Sequence, residues 1–382
     1  MSGGDFLRRM PSSSWNLRRQ QNIWVRLHID LPLLLLLLVS MVFGLVVLYS
    51  ASGGDWHYVK RQTIFFLLGF ALMFAVAQVN LPFLERWSWA AYFVGLGLLA
   101  AVLFVGVGAK GAQRWLSLGG FRFQPSEIMK LAVPLMIAAY LSKRLLPPKF
   151  KYIVVALLLA LAPAFLILKQ PDLGTALLIA MSGLVVLFFA GLPWRYIITA
   201  LILVAASAWP AWHFVLHDYQ RTRILTLLNP EADKLGAGWN IIQSKTAIGS
   251  GGWLGKGWLN GTQSQLDFLP ESHTDFIIAV LAEEFGMRGF LCLLLLYSLI
   301  LARGLSIAVL SQQTFSRLVA GSISFTLFVY IFVNIGMVSG LLPVVGVPLP
   351  FFSHGGTALL TLMISCGLLM AVATEHKRVG LN

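Results

Sequence analysis

The chain has few charged residues and almost no cysteine, and each shortage excludes a class of protein. Only 11% of the 382 residues are charged, whereas soluble globular domains carry about 25%. The two cysteines, Cys292 and Cys366, both fall inside apolar runs, so the sequence carries neither a disulfide framework nor a zinc-ligand pattern. An ordinary soluble domain and a disulfide-stapled secreted domain are therefore both excluded.

Apolar residues are abundant instead: 58% of the chain is hydrophobic, in runs near the length of about 20 residues that a transmembrane helix needs. The eighth run is too long for one span, because as a helix it would reach about 54 Å against a hydrocarbon core of about 30 Å. Gly286 and Gly289 are predicted to divide it into an outer, cavity-facing part and a lipid-spanning part that starts near Met287. We predict an all-α polytopic integral membrane protein with ten transmembrane helices, at residues 31–50, 62–79, 89–108, 125–142, 152–169, 174–191, 194–216, 274–309, 317–341 and 356–374.

The distribution of basic residues predicts the orientation of this bundle, because Lys and Arg accumulate in cytoplasmic loops. One side carries Arg8, Arg9, Arg18, Arg19, Arg26, Arg86, Lys143, Arg144, Lys149, Lys151, Arg195, Arg303, Arg317, Lys377 and Arg378. The short loops opposite carry only Lys60, Arg61, Lys110, Arg114, Arg122 and Lys169. Both termini are therefore predicted to be cytoplasmic. The net charge of +13 reflects this asymmetry and is no evidence for nucleic-acid binding.

The domain organisation follows from the same pattern. Residues 1–30 are predicted to be a basic cytoplasmic tail, 31–376 a single transmembrane domain, and 377–382 a second cytoplasmic tail. A long periplasmic loop at 217–273 belongs to the transmembrane domain. The first apolar run is too long for a typical signal-peptide core, so we expect it to remain uncleaved.

The most informative stretch is 261–286, which brings carboxylates to the mouth of an apolar helix. Ionisable groups at membrane depth are costly and usually face a cavity with a function. Asp275 lies where a polar loop gives way to apolar sequence, so its carboxylate could act as a base towards a substrate outside the membrane. The alternative is a structural one, since Asp is a common helix cap.

Other outer segments add charges of both signs. Pro125 indicates a helix start, after which Glu127 and Lys130 can pair on one helix face. They form either a structural ion pair or part of a cavity for an anionic head group. Asp172 is predicted to cap the next helix or to hold a nearby cation. The Pro-rich connection 341–357 is expected to be buried in protein or to line water, and its His354 is interpreted as a satisfied hydrogen bonder.

The glycine-rich part of the long loop, 240–263, is not a Walker sequence, because Gly257 follows Lys256 where Ser or Thr is required. It is interpreted as a flexible backbone rich in free amides. With Lys245 and Lys256 it would suit an anionic lipid head group or a partner protein. Glu283 and Glu284 are assigned a structural role, with Glu284 expected to pair with Arg288.

Short motifs are spread along the chain: Gln124-Pro125-Ser126-Glu127, Gln170-Pro171-Asp172-Leu173-Gly174-Thr175, Tyr219-Gln220-Arg221, Asn240-Ile241-Ile242-Gln243-Ser244, Gly249-Ser250-Gly251-Gly252, Gly255-Lys256-Gly257, Gly261-Thr262-Gln263, Phe268-Leu269-Pro270-Glu271, His273-Thr274-Asp275-Phe276 and Pro348-Leu349-Pro350-Phe351. Together these motifs resemble the SEDS family of bacteria (shape, elongation, division and sporulation). The resemblance runs from about residue 25 to 375 and favours the elongation branch. Two departures are Asp267, where relatives often carry Glu, and His354, where many carry Tyr.

The resemblance implies a bundle with an outward-facing central cavity in the bacterial inner membrane. It also implies a peptidoglycan glycosyltransferase that polymerises lipid II on the periplasmic side, with a class B penicillin-binding protein and other elongation-complex proteins as partners. Carried over residue by residue, the essential acid falls on Asp275. The supporting positions fall on Arg61, Arg114, Arg122, Glu127, Lys130 and Asp172, to which the loop analysis adds Lys256. No cofactor is certain, and a requirement for a divalent cation stays open.

Two other classes of function also fit an apolar bundle. A lipid II flippase or other transporter should carry charged residues on both sides of the midplane, whereas these cluster outside; a structural scaffold would need no polar cavity. The partner's transmembrane helix is expected to dock on the long loop and the eighth and ninth helices. Small residues such as Gly321 and Ser324 would allow this close approach, although they would serve internal packing equally well.

Overall fold

The computed structural model describes residues 23–109, 112–118, 121–215, 218–232, 237–266, 268–269 and 271–379. Among these, seven helices are long and apolar enough to cross a membrane, namely α1, α2, α3, α5, α10, α11 and α12, while α6 and α7 are apolar but shorter. The helices are α1 (Leu31–Ala51), α2 (Trp56–Ala77), α3 (Leu81–Val105), α4 (Pro125–Ser142), α5 (Phe150–Leu168), α6 (Leu173–Phe189), α7 (Trp194–Pro210), α8 (Asp218–Leu228), α9 (Ala237–Gly251), α10 (Ile277–Leu310), α11 (Thr314–Val338) and α12 (Gly356–Val379). Most of the predicted tail 1–30, and also Lys110 and Asp267, lie outside the described residues.

Capping residues explain why several helices begin before the apolar runs do. Asp55 caps α2 by accepting a hydrogen bond from the backbone N of His57 (2.8 Å), and Asn80 is the N-cap of α3. These helices were predicted to begin at 62 and 89, because the polar residues of their first turns interrupt the apolar pattern. Asp30 likewise caps α1 and also pairs with Arg303 at 2.5 Å.

The outer segments contain more regular structure than predicted. A three-stranded antiparallel sheet of β1 (Val107–Ala109), β2 (Ala112–Leu118) and β3 (Phe121–Phe123) connects α3 to α4. The segment predicted as a long loop, 217–273, contains α8 and α9. Its composition hid these helices, because glycines and polar residues interrupt any apolar face.

Helix α10 breaks at Gly286, as predicted, where the backbone adopts φ 67° and ψ −163°. A broken helix leaves backbone groups without intrahelical partners, and the glycine-rich segment 251–257 supplies those partners. The carbonyls of Glu283 and Glu284 accept from the amides of Lys256 (3.0 Å) and Gly257 (2.9 Å). On the other side of the break, the amide of Met287 donates to the carbonyl of Gly252 (2.9 Å). We call residues 251–266 the collar.

The expectation of free amides in this loop was therefore wrong, because the collar's amides at Lys256 and Gly257 are used to satisfy a broken helix. The pairing of Glu284 with Arg288 was also wrong. The kink between them disrupts the helical spacing, and among the described residues Glu284 instead accepts a hydrogen bond from Ser50 Oγ and makes no ion pair.

The Pro-rich connection after α11 is buried in protein, as predicted. Val347, Leu349, Phe351 and Phe352 are all buried. Its backbone is held by side chains from three helices: Tyr297 Oη donates to the carbonyl of Pro350 (2.6 Å), Gln62 Nε2 to that of Ser353 (3.1 Å), and Asn334 Nδ2 to that of Val347 (2.7 Å). The loop therefore has one fixed course through the outer part of the bundle.

Three small residues of α11, Gly321, Ser322 and Ser324, pack internally, which corrects their assignment to a partner interface. Gly321 lies against the ring of Phe189, Ser322 Oγ donates to the carbonyl of Ser182 (3.2 Å), and Ser324 is buried against Gly304. These residues let α11 approach α6 and α10 closely and are not available to another chain.

Candidate active site

A pocket of about 180 Å³ opens between the starts of α4, α6 and α12, strand β2 and the Pro-rich connection. Four of the residues predicted from the sequence line it: Arg114, Glu127, Lys130 and Asp172. Each comes from the first turns of a helix or from the sheet beside it, at the polar ends of the apolar runs. The remaining lining residues are Trp115, Gln124, Thr175, Leu178, Tyr330, Val345, Gly346, Val347, Pro348, Thr357 and Ala358.

Both cations of the pocket are matched by a carboxylate. Lys130 Nζ lies 2.6 Å from Glu127 Oε1, and Arg114 Nε lies 3.5 Å from Asp172 Oδ2. Arg114 is fixed further by donating to the carbonyl of Pro171 at 2.6 Å. Asp172 also accepts from the backbone N of Thr175 (3.2 Å) and caps α6, so both interpretations of this residue are correct. The carboxylates hold the two cations in fixed positions and offset their charge.

Tyr330 is a pocket residue that sequence reasoning missed. The Lys130 ammonium lies 5.5 Å from the centroid of the Tyr330 ring. Tyr330 stands in the middle of an apolar run, so the sequence pattern predicts a core residue there. Only the packing of α11 against α4 brings its ring to the pocket.

Asp275 lies in the turn that precedes α10, and its carboxylate faces the pocket wall. A Cβ on Gly346, which lines the pocket, would lie 3.4 Å from Asp275 Oδ2. The carbonyl of Asp275 accepts from Asn334 Nδ2 at 3.0 Å, and the same amide group donates to Val347 on the pocket side. The N-cap of α10 is Phe276, so Asp275 is not the cap residue that the alternative interpretation required.

Two other predicted positions, Arg61 and Lys256, are not among the described residues that line this pocket. Arg61 is on α2, 5.9 Å from the Phe65 ring centroid. Lys256 belongs to the collar, where its Nζ lies 2.7 Å from the buried carboxylate of Glu283. The backbone of Arg122 pairs with Ser117 in the sheet, and its side chain is outside the described part of the chain. The roles of Arg61, Arg122 and Lys256 in substrate binding stay predictions.

A second group of polar side chains surrounds His273, which belongs to the Asp275 turn. The Tyr58 ring is 4.8 Å from the His273 ring and 5.5 Å from the His354 ring, centroid to centroid. The backbone N of His354 donates to the carbonyl of His273 (3.0 Å), which joins the Pro-rich connection to the Asp275 turn. We call Tyr58, Arg61, His273 and His354 the imidazole cluster.

His354 was interpreted as a satisfied hydrogen bonder, and its side chain is not. Its buried Nε2 has no hydrogen-bond partner within the described residues. Burial lowers the pKa of His354 to about 4, with a further contribution from His273 and Arg61 nearby. The imidazole is therefore neutral at physiological pH.

Where the structure describes the chain, no group of three or more His, Cys, Asp or Glu side chains could hold a metal ion. The ligand set for a divalent cation, which the sequence left open, has no candidate among these residues.

The fold and the site define a multi-pass membrane protein with an acid beside a polar pocket lined by paired charges. A family model described as "Cell cycle protein", covering FtsW, RodA and SpoVE, matches residues 30–378. The chain belongs to this family, which confirms the resemblance found in its motifs.

Individual relatives agree with this assignment. The chain is 52% identical to the peptidoglycan glycosyltransferase MrdB of Escherichia coli K12 over 361 residues, covering 94% of this chain and 98% of MrdB. A probable peptidoglycan glycosyltransferase FtsW of Trichlorobacter lovleyi is 38% identical, covering 92% and 95%.

Two solved structures share the fold. A chain from a structure described as "Structural coordination of polymerization and crosslinking by a peptidoglycan synthase complex" superposes with a TM-score of 0.79 at 34% identity, covering 91% of this chain and 98% of that one. RodA of Thermus thermophilus superposes with a TM-score of 0.69 at 31% identity, covering 91% and 97%.

Proposed function

We propose that this chain is a peptidoglycan glycosyltransferase that polymerises lipid II during cell elongation and rod-shape maintenance. The observation that carries the proposal is the carboxylate of Asp275 against the wall of a pocket lined by Arg114 and Lys130. The relationship to MrdB, at 52% identity over nearly the whole of both chains, supports the same activity.

The reaction requires a base and a site for a charged leaving group: Asp275 beside the pocket supplies the base, and the cations of the pocket supply the site. The 4-hydroxyl of one lipid II attacks C1 of another, a new C–O bond forms, and the bond from C1 to the diphosphate breaks with inversion. Asp275 takes the hydroxyl proton, an effect worth about 10²–10⁴-fold in rate. Preorganised cations at the departing diphosphate are often the larger contribution.

Arg114 and Lys130 are suited to that leaving group because they are already oriented. Glu127 and Asp172 hold them in place and cancel their charge while the pocket is empty. A diphosphate brings its own negative charge, so the cations can turn to it without leaving an uncompensated charge at membrane depth. Tyr330 limits the movement of Lys130 from the other side.

The location and the partner complete the proposal. Ten membrane-spanning helices in the inner membrane, with both termini cytoplasmic, would place Asp275 and the pocket on the periplasmic side, where the few outer basic residues lie. The partner is a class B penicillin-binding protein. Its transmembrane helix is expected on the apolar groove between α9, α10 and α11, which is lined by Ile248, Gly252, Ile278, Ala282, Met287, Phe290, Ile335, Val338 and Ser339.

The test is polymer formation from purified lipid II by the purified chain with its partner. Asp275→Asn keeps the shape of the side chain and removes its basicity, so polymerisation should fall by at least about 100-fold while the thermal midpoint in detergent changes little. Arg144→Gln, a cation stacked on Tyr140 and Tyr152 away from the pocket, is the matched control. An Asn variant that retains more than a tenth of the wild-type rate would show that Asp275 is not the base.

A further inference from the structure

A cavity of about 440 Å³ lies at the opposite end of α12 from the Asp275 pocket, and the proposed reaction does not use it. Residues 79–83, which join α2 to α3, form one wall, and the last turns of α12 form another with Ala371 and Glu375. His28, which precedes α1, and Arg86, in the second turn of α3, complete the lining. We call this space the α3–α12 cavity. It has more than twice the volume of the Asp275 pocket.

The α3–α12 cavity contains two opposite charges that do not neutralise each other. Arg86 and Glu375 both line it, yet among the described residues Arg86 makes no ion pair, either with Glu375 or with another carboxylate. Glu375 Oε2 accepts from Ser316 Oγ (3.0 Å), which fixes the carboxylate without cancelling its charge. Glu85 lies close enough to Glu375 to add a second negative charge there. A ligand with one charge of each sign would complement such a cavity.

The rim of the α3–α12 cavity is aromatic. Phe83 lines the cavity and is 55% exposed, and the Trp87 ring, 52% exposed, lies 6.1 Å from it, centroid to centroid. Exposed aromatic side chains at the end of a membrane helix are typical of the level of the lipid head groups. Basic pockets between membrane helices at this level bind phospholipid head groups. The occupant that fits this rim is therefore a phospholipid, whose acyl chains can lie along Phe83 and Trp87.

We propose that the α3–α12 cavity binds the head group of a phospholipid that carries both a phosphate and a primary ammonium, as phosphatidylethanolamine does. Arg86 binds the phosphate, because a guanidinium matches phosphate oxygens in geometry and charge. Glu375 accepts hydrogen bonds from the ammonium. Phosphatidylglycerol has the phosphate but no cation for Glu375, and the quaternary ammonium of phosphatidylcholine has no N–H to donate. The bound lipid would join the start of α3 to the end of α12, and the proposal does not depend on the proposed function.

The experiment measures the first lipid-binding event on the purified chain by native mass spectrometry, with the dioleoyl forms of the three lipids added separately. The wild type should bind phosphatidylethanolamine at least about 10-fold more tightly than the other two, the difference expected for one charge-assisted hydrogen bond. Glu375→Gln should abolish this preference. Arg86→Gln should weaken the binding of all three lipids, because each carries the phosphate.

Two variants at distant charges are the matched controls. Glu231→Gln changes an exposed carboxylate in the short helix 230–232. Arg144→Gln changes an exposed cation that is stacked on Tyr140 and Tyr152. Both variants should keep the wild-type affinities for the three lipids.

Three outcomes would overturn the proposal. If the wild type binds the three lipids equally, or if the preference survives Glu375→Gln, the carboxylate does not bind the ammonium. If phosphatidylglycerol is preferred and Arg86→Gln abolishes that preference, the cavity is a site for the phosphate alone. If no phospholipid binds and both variants only lower the thermal midpoint in detergent, the cavity belongs to the chain's own packing. Arg86 is exposed, so Arg86→Gln tests the site even if Glu375→Gln does not fold.

Discussion

The two halves of α10 meet at Gly286 and have opposite environments. From Ile277 to Glu284 every residue is buried, including two adjacent carboxylates. After the break, Met287, Leu291, Leu295 and Leu299 are exposed along an apolar surface. The outer half is thus built like the core of a soluble protein and the inner half like a helix in lipid. Because Asp275 immediately precedes the outer half, its position is set by protein packing rather than by the bilayer.

Breaking the junction between the halves should have the largest effect. The φ and ψ of Gly286 are essentially restricted to glycine, so Gly286→Ala should cost about 1–3 kcal/mol in backbone strain alone. A Cβ there would also meet the carbonyl of Trp253 at 2.7 Å. We expect a lower thermal midpoint and loss of most polymerase activity.

Gly97→Ala is the control for Gly286→Ala. Gly97 lies in α3 and has open space where a Cβ would be added. The substitution should therefore be neutral or slightly stabilising, because alanine favours helix over glycine. Equal thermal midpoints for the two variants would show that the break at Gly286 is not a structural requirement.

Loosening the collar should affect only the outer half of α10, because Glu283 binds the collar to that half and not to the lipid-facing half. Its carboxylate accepts from Lys256 Nζ (2.7 Å), Thr262 Oγ1 (3.1 Å) and the backbone N of Gln263 (3.0 Å). Glu283→Gln leaves Lys256 without its counter-ion and turns an NH₂ towards donors, at a cost of about 1–3 kcal/mol. Trypsin should then cleave after Lys256 faster, while cleavage after Lys143 or Arg144, at the end of α4, keeps its rate.

The ion pair between Lys256 and Glu283 also tests the predicted role of Lys256 in substrate binding. If Lys256→Gln lowers stability as Glu283→Gln does but leaves lipid II affinity unchanged, Lys256 belongs to the collar only. A loss of affinity at unchanged stability would support the prediction from the sequence.

The features predictable from the sequence are those that depend on neighbouring residues. The apolar runs, the start of α4 at Pro125, the Glu127–Lys130 pair and the break at Gly286 all depend on local spacing. The collar was misinterpreted because its glycine content shows that the backbone amides are accessible. It does not show which carbonyls will accept hydrogen bonds from them.

Long-range contacts account for the remaining omissions. Asn334 joins Asp275 to Val347 across segments far apart in the chain, and it stands in an apolar run like any core residue. Arg61 was grouped with Arg114 because both were predicted to lie outside, and only the packing of α2 against the Pro-rich connection separates Arg61 from the pocket that Arg114 lines.

Partner docking should depend on the lipid-facing half of α10, whose Met287 and Phe290 line the apolar groove. Ser339→Trp would fill the apolar groove of about 180 Å³ beside Met287 and Phe290 without adding charge. We expect co-purification with the penicillin-binding protein to fall while the chain stays folded. Leu161→Trp on exposed α5 is the matched control. Undiminished co-purification of the Ser339 variant would place the partner elsewhere.

Gly321→Leu or Ser324→Leu should instead impair folding, because both positions are packed against the chain's own residues.

The smallest expected effect is on how far acid lowers the stability of the folded chain through His354. The pKa of His354 is lowered to about 4 in the folded chain, from an ordinary value of 6.5. A depressed pKa means that folding favours the neutral ring. The resulting stability is present in full above pH 6.5 and is lost as the pH falls from there towards 4. His273 from the Asp275 turn and Arg61 from α2 both oppose protonation of the His354 ring.

His354→Tyr removes this titration and retains an aromatic ring against Tyr58. The thermal midpoint of the wild-type chain in detergent should therefore fall more steeply between about pH 6.5 and 4.5 than that of the variant, with little difference in slope between about pH 7 and 8. His213→Tyr, just after α7 and away from the imidazole cluster, should keep the wild-type slope. Parallel curves for wild type and His354→Tyr would mean that the His354 ring is already protonated, or hydrated, in the folded protein. In that case the tight protein packing around the outer half of α10 would not extend to the imidazole cluster.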